Sequence, residues 1–241
     1  MGERFDGLVA VVTGAGRGIG RATAMALAER GAAIVAAART REELEETAAA
    51  VRAAGAACVV APTDVAVEVE CEALIARAEA EFGRLDVLVN NAGVARFGRF
   101  WELSTEDFDA NLNVNLRAVF FLSRAAALRM IPRRSGHIVI VSSSAARKPY
   151  PTQSAYCASK AGVNQLARVM AADLRPYGVR VSAICPGGVA TRLAEEIHPH
   201  RDKTGWIQPE DVARAIVYLL ATPPNVAVDE LFVRRFDSEP I

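Results

Sequence analysis

The chain is poor in cysteine and aromatics, shows no excess of either charge and has no long hydrophobic run. Each shortage removes a class of protein. Its 241 residues hold four cysteines, Cys58, Cys71, Cys157 and Cys185, without pairing pattern or metal-ligand spacing. This argues against a disulfide framework or a zinc module and reads as reduced thiols of a cytoplasmic protein. Lysine plus arginine and aspartate plus glutamate number 28 each. That balance gives no electrostatic drive toward nucleic acid or an anionic membrane. The longest apolar runs, such as AAIVAAA at 32–38, are too short to cross a bilayer. The opening MGERFDGL is charged and lacks the apolar core of a signal peptide, and Asp6 stands where a myristoylation signal needs serine or threonine.

What is present is an alternation. Short apolar runs at 8–14 (LVAVVTG), 32–39, 57–65, 85–93, 136–143, 179–187 and 229–235 are separated by segments of helical period. Long helices are expected from about Thr105 to Met130, stopping near Pro132, and from the SAYCASKAG stretch to about Leu174, before Pro176. Pro209 suits the first turn of the last helix. Strands without polar alternation, each followed by a helix, predict a parallel sheet covered on both faces. No linker, repeat or low-complexity block interrupts the pattern, so residues 1–241 read as a single doubly wound α/β domain. Residues 191–207 carry the weakest pattern. They follow the sixth strand, at the carboxyl end of the sheet, and are expected to form a pocket rim or lid.

TGAGRGIG, residues 13–20, joins the first strand to the first helix. Gly14, Gly18 and Gly20 would let the backbone turn tightly and approach a diphosphate, which the helix N-terminus then meets with free N–H groups. A purely structural turn is the alternative; the strand-to-helix context favours a nucleotide. An acidic residue at the end of the second strand would bind the ribose 2′-hydroxyl of NAD. Here that position holds Ala38 and then Arg39, and Arg17 lies within the loop. Two guanidinium groups could clamp a 2′-phosphate, so NADP(H) is favoured over NAD(H). The alternative is two surface arginines neutralised by Glu42 or Glu43.

Tyr156 and Lys160 stand four apart at the start of a helix and share one face. Ser142, Ser143 and Ser144 end the preceding strand, and a hydroxyl there could meet the phenol. A free phenol has a pKa of about 10. A nearby ammonium favours the phenolate, and a phenol tuned in this way can exchange a proton with a carbonyl oxygen or an alcohol.

These segments together, TGAGRGIG (13–20), NNAG (90–93), VNL (114–116), IVIVSSSA (138–145), YCASK (156–160) and CPGGVAT (185–191), resemble the short-chain dehydrogenase/reductase family, of its classical type, over nearly the whole chain. The resemblance implies a Rossmann fold of about seven parallel strands with helices on both faces. It also implies a tetrad of Asn115, Ser143, Tyr156 and Lys160. Tyr156 would be the acid in reduction and the base in oxidation. Lys160 would lower its pKa and bond the nicotinamide ribose. Ser143, thirteen residues before the tyrosine, would hold the substrate oxygen, and Asn115 would position Lys160 and a relay water. The cofactor set implied is Gly14, Arg17, Gly18, Ile19, Gly20, Arg39, Asp64, Val65, Asn91, Ala92, Gly93, Pro186, Gly187, Val189 and Thr191, with Tyr156 and Lys160. A homotetramer or homodimer is implied, and no metal. Ala118 replaces a glycine common in relatives, and the ending DELFVRR lacks the glycine-rich TGQ…DGG close of many members.

The remaining candidates read blandly. His198 and His200 are expected as surface histidines rather than metal ligands, and His137 as an exposed strand-end residue. Cys157 reads as a small filler beside the tyrosine. Phe97, Phe100 and Trp101 suit a pocket, a subunit contact or the core. Tyr150 and Gln153 are the expected substrate contacts. Three functions compete: an NADP(H)-dependent oxidoreductase acting on a ketone or secondary alcohol, a nucleotide-sugar epimerase, and a nucleotide-responsive binding protein without turnover. Arg17 stands where the epimerase loop TGxxGxxG needs glycine, and a binding protein would be expected to lose part of the tetrad.

Overall fold

Along β1 (Val9–Thr13), β2 (Ala33–Ala38) and β5 (Gly136–Val141), successive side chains enter two different cores. Ala10, Val12, Ile34, Ala36, Val139 and Val141 belong to one apolar cluster, and Val9, Val11, Val35, Ala37, Ile138 and Ile140 to the other. A pleated strand sends neighbours to opposite faces. With both faces apolar, the only stable burial is a sheet sandwiched between helices.

The computed structural model describes residues 4–197, 199–200 and 202–239. Among these, β3 (Cys58–Pro62), β4 (Val87–Asn90), β6 (Val179–Pro186) and β7 (Glu230–Val233) complete a seven-stranded sheet in the order β3-β2-β1-β4-β5-β6-β7. Every pairing is parallel. Helices α1 (Gly18–Ala28), α2 (Arg41–Ala53) and, near the end of the chain, α8 (Pro209–Ala221) supply one cluster. Helices α3 (Glu68–Phe82), α5 (Ala118–Met130) and α6 (Ser154–Leu174) supply the other. The chain winds outward from β1 to β3, then crosses back to place β4 on the other side of β1. That reversal opens a crevice at the carboxyl ends of β1 and β4, where doubly wound sheets take ligands.

Three expectations are revised. The helix expected from Thr105 to Met130 is α4 (Thr105–Leu112), a wide π-turn over Asn113–Arg117 and then α5. Such bulges recur at functional sites, and this one contains Asn115. The 191–207 segment is more regular than expected: α7 (Arg192–Ile197) occupies its first half, and Val189 bridges to Ile207. His137 is not an exposed strand-end residue. It is 4% exposed, because β6 and the Asp86 carbonyl enclose its position, and its Nε2 lies 2.9 Å from Ser182 Oγ.

Burial drives the His137 pKa down from its usual value to about 3, with the nearby Arg180 charge adding to the effect. The unfolded chain takes up a proton near pH 6.5 and the folded chain does not, so stability falls as pH drops from about 6.5 toward 3. The expected loss between pH 7 and pH 5 from this residue is about 2 kcal/mol. Urea unfolding at the two pH values is expected to show that His137→Gln abolishes this part of the difference.

Candidate active site

The glycine loop is set by contacts that leave no room for side chains. A Cβ on Gly20 would lie 2.1 Å from the Gly14 carbonyl oxygen and 2.5 Å from Asn91 Nδ2. Gly14 itself has a left-handed φ of 64°. Thr13 knots this loop to the end of β4. Its hydroxyl accepts from the N–H groups of Asn91 and Ala92, both at 3.0 Å, and Asn91 Nδ2 donates back to the Thr13 carbonyl at 2.8 Å. The start of α1 has no side-chain cap, so its first N–H groups remain free to meet an anion.

A cavity of about 570 Å³ runs from this loop along the carboxyl edge of the sheet. Gly14, Arg17, Gly18, Ile19, Arg39, Asp64, Val65, Asn91, Ala92, Gly93, Thr191, Tyr156 and Lys160 line it, as the expected cofactor set requires. Gly20 stands behind the loop. Pro186, Gly187 and Val189 line instead an adjoining cavity of about 430 Å³. Sequence reasoning missed Thr40, Thr63 and Arg192 on the first wall, and gave Glu43 only as a possible neutraliser of the arginines. No local motif marks these positions. The cavity thus brings the glycine loop, the free start of α1 and the Arg17 and Arg39 guanidinium groups onto one wall, which fits a dinucleotide.

Tyr156 lines both cavities, Lys160 only the first and Ser143 only the second. Helix α6 carries the phenol and the amine on one face. Its length places Lys160 Nζ 3.0 Å from the Val141 carbonyl at the end of β5 and 5.8 Å from the Tyr156 ring centroid. Of the three serines, Ser143 is the one whose hydroxyl draws the phenol's pKa down. Its backbone is extended, and its Oγ accepts from Ala145 N at 3.1 Å, which orients the hydroxyl. Ser144 is engaged instead with Tyr150, 3.1 Å between hydroxyls. Phe97 packs edge-on against the phenol ring, with centroids 5.6 Å apart. The π-turn directs Asn115 inward. Its Oδ1 accepts from Val94 N, and its Nδ2 donates to the Val94 carbonyl and to Ser159 Oγ, one residue before Lys160.

The electrostatics depart from the expected lowering of the phenol. Burial is the largest influence on Tyr156 and raises its pKa, while the Ser143 hydrogen bond opposes the rise. Burial also lowers the Lys160 pKa to about 8. The amine is thus largely protonated at neutral pH, with its positive charge on the phenol's side of the helix.

Phe100 and Trp101 are not core residues. Both are more than three-quarters exposed, on the loop before α4. Tyr150 and Gln153 do line the second cavity, with Phe97, Lys148, Trp206, Arg234 and Arg235. Trp206 falls in the expected pocket rim. The two arginines come from the chain end, which only folding brings to this mouth. His200 is exposed, and His198 lies outside the described residues.

The sequence profile of the short chain dehydrogenase family matches residues 8–202. The chain belongs to the short-chain dehydrogenase family of oxidoreductases. Among members, it is 40% identical over 235 residues to the short-chain reductase protein NovJ of Streptomyces niveus, covering 95% of this chain and 88% of NovJ. A metagenomic short-chain oxidoreductase solved in complex with NADP is 36% identical, with a TM-score of 0.86 over 97% of this chain and 99% of that one. An alcohol dehydrogenase of the archaeon Thermococcus sibiricus, complexed with 5-hydroxy-NADP, is 32% identical, with a TM-score of 0.90 over the same shares.

Because the loop tolerates no Cβ at position 20, Gly20→Ala is expected to weaken dinucleotide binding at least tenfold while the protein still folds. Titration of NADPH fluorescence alongside circular dichroism checks this; unchanged binding would show that the loop can relax.

Proposed function

We propose that this short-chain dehydrogenase is an NADP(H)-dependent oxidoreductase that moves a hydride between the nicotinamide and a ketone or secondary alcohol. Tyr156 serves as the proton donor in reduction and the acceptor in oxidation. The observation that carries this reading is the position of the Tyr156 phenol on the wall between two cavities, with Lys160 on the side of one and Ser143 on the side of the other. One cavity suits the dinucleotide, and the other suits the carbonyl compound. Bound in the first, the nicotinamide would supply or take up the hydride.

The chain's own groups do the rest. The Ser143 hydroxyl, held by Ala145 N, is available to hydrogen-bond the substrate oxygen as negative charge grows on it. The phenol transfers the proton to that oxygen. The protonated Lys160 favours the phenolate left behind, and Asn115 keeps the segments around Val94 and Ser159 in register with it. Phe97 packs edge-on against one side of the phenol ring and helps to hold it in place. Arg17 and Arg39, on the wall of the first cavity, support the preference for NADP(H). We also propose that the chain acts as one dinucleotide-binding and catalytic domain, in the cytoplasm, as a homotetramer or homodimer.

The test is to mix the purified protein with NADPH and a panel of ketones and follow nicotinamide absorbance. Tyr156→Phe is expected to slow turnover about 10²- to 10⁴-fold with cofactor binding retained. Lys160→Ala is expected to slow turnover at pH 7 and to move the pH profile upward. Cofactor binding with no turnover on any ketone, unaffected by Tyr156→Phe, would favour a nucleotide-responsive binding protein.

Arg39→Asp is expected to move the ratio of NADPH to NADH affinity at least tenfold toward NADH, the worth of one charge-assisted hydrogen bond. An unchanged ratio would favour an NAD(H)-preferring dehydrogenase of the same family.

A further inference from the structure

Four charged side chains close a ring at the wall of the first cavity. Glu43 Oε1 lies 3.8 Å from Arg17 Nη1 and 3.5 Å from Arg192 Nη1. Glu196 Oε1 lies 3.8 Å from Arg17 Nη1 and 3.1 Å from Arg192 Nε. The ring joins three elements that are distant in sequence: the glycine loop, α2 and α7. Three of its members, Arg17, Glu43 and Arg192, line the cavity beside Arg39 and Thr40, whereas Glu196 does not. Glu43 is the most enclosed, its side chain 30% exposed and pressed against Gly16, where a Cβ would come within 2.9 Å of the Glu43 Cβ.

We infer that Glu43 is a specificity-determining residue: an internal counter-anion that occupies the arginine site and competes there with the 2′-phosphate of a phosphorylated dinucleotide. This rests on the proposed binding of NADP(H) in that cavity. The physical argument is one of shared charge. Arg17, Arg39 and Arg192 bring three positive charges, and Glu43 and Glu196 return two negative ones. The contacts of Glu43 with its two arginines, at 3.5 and 3.8 Å, are ion pairs without hydrogen-bond geometry. They are therefore weak enough to be exchanged for a phosphate, which accepts from guanidinium groups at closer range. The Glu43 carboxylate nevertheless faces the same space as that phosphate and repels it. A dinucleotide with a free 2′-hydroxyl carries no charge there and is indifferent to the repulsion. Glu43 thus tempers the NADP(H) preference set by the arginines. Through Arg192 it also ties α7 to the near side of the cleft.

The test uses Glu43→Gln, which keeps the packing against Gly16 and removes the charge, with Glu196→Gln as the contrasting variant. Dissociation constants for NADPH, NADH and the fragment 2′,5′-ADP are measured by calorimetry or fluorescence at low and high salt, without any carbonyl substrate. Glu43→Gln is expected to tighten NADPH and 2′,5′-ADP about fivefold at low salt, with the gain shrinking at high salt. NADH is expected to change less than twofold, and Glu196→Gln to have the smaller effect on all three. Equal tightening of NADPH and NADH, unchanged NADPH binding, or a marked loss of NADH would each overturn the inference. The last result would mean that Glu43 bonds the ribose hydroxyl directly. Should Glu43→Gln fail to fold, Glu43→Ala is measured in its place: 2′,5′-ADP must tighten relative to ADP at low salt. If the unaltered protein binds neither dinucleotide, the functional reading falls as well; if it binds NADPH and the variant does not differ, the inference alone falls.

Discussion

The cleft depends on one close approach: the first turn of α1 lies against the Gly14 carbonyl, so near that a single Cβ at position 20 would stand 2.1 Å from it. That contact sets where the helix axis points and hence where its free N–H groups converge. It also decides where Asn91 sits, because the Asn91 amide bridges the Thr13 and Gly14 carbonyls. Through Thr13 the approach is shared with β4, and the reversal of strand order between β1 and β4 becomes a crevice rather than a packed seam.

The second constraint is dielectric. Lys160 is buried and Tyr156 half-buried, and the loss of water pushes each toward its neutral form, the phenol upward and the ammonium downward to about 8. The two groups, placed on one helix face, are thereby moved apart in proton affinity, the phenol above its ordinary value and the ammonium below its own. The Ser143 hydroxyl works against burial at the phenol, and the Val141 carbonyl accepts a hydrogen bond from the ammonium. The π-turn at Asn115 serves the same region by bonding the Val94 backbone and Ser159 together. A regular helix there would turn the Asn115 side chain by a different angle.

A third theme is that the chain end builds the second cavity. Glu230, on β7, accepts from Arg147, four residues past Ser143, and from Arg168 and Asn164 on α6. Both arginines hold its carboxyl below the usual range against the opposing effect of burial. The strand carrying Glu230 leads directly into Arg234 and Arg235 at the mouth of that cavity. The ending DELFVRR, which departs from the glycine-rich close of many relatives, therefore shapes the second cavity.

Much of this was legible in the amino-acid order. Unbroken apolar strands alternating with helices could bury both sheet faces in only one kind of architecture, and glycines at 14, 18 and 20 between a strand and a helix announced the cradle. The spacing of Tyr156 and Lys160 placed them on one face because helical geometry is local. Other features had no local signal. His137 looked like a strand-end residue, and only the lateral pairing of β5 with β6 enclosed it. The π-turn arises from packing against α6 and the Val94 loop, not from any propensity of NVNLR. Whether burial or the amine dominates the phenol depends on distances and solvent exclusion that spacing does not encode. The ring of Arg17, Glu43, Arg192 and Glu196 joins residues up to 179 positions apart. The sequence alone thus determined which elements form and which chemistry they carry, since these follow from local periodicity and side-chain type. The tertiary structure alone decided which charges share a space, because that is set by where the strands cross.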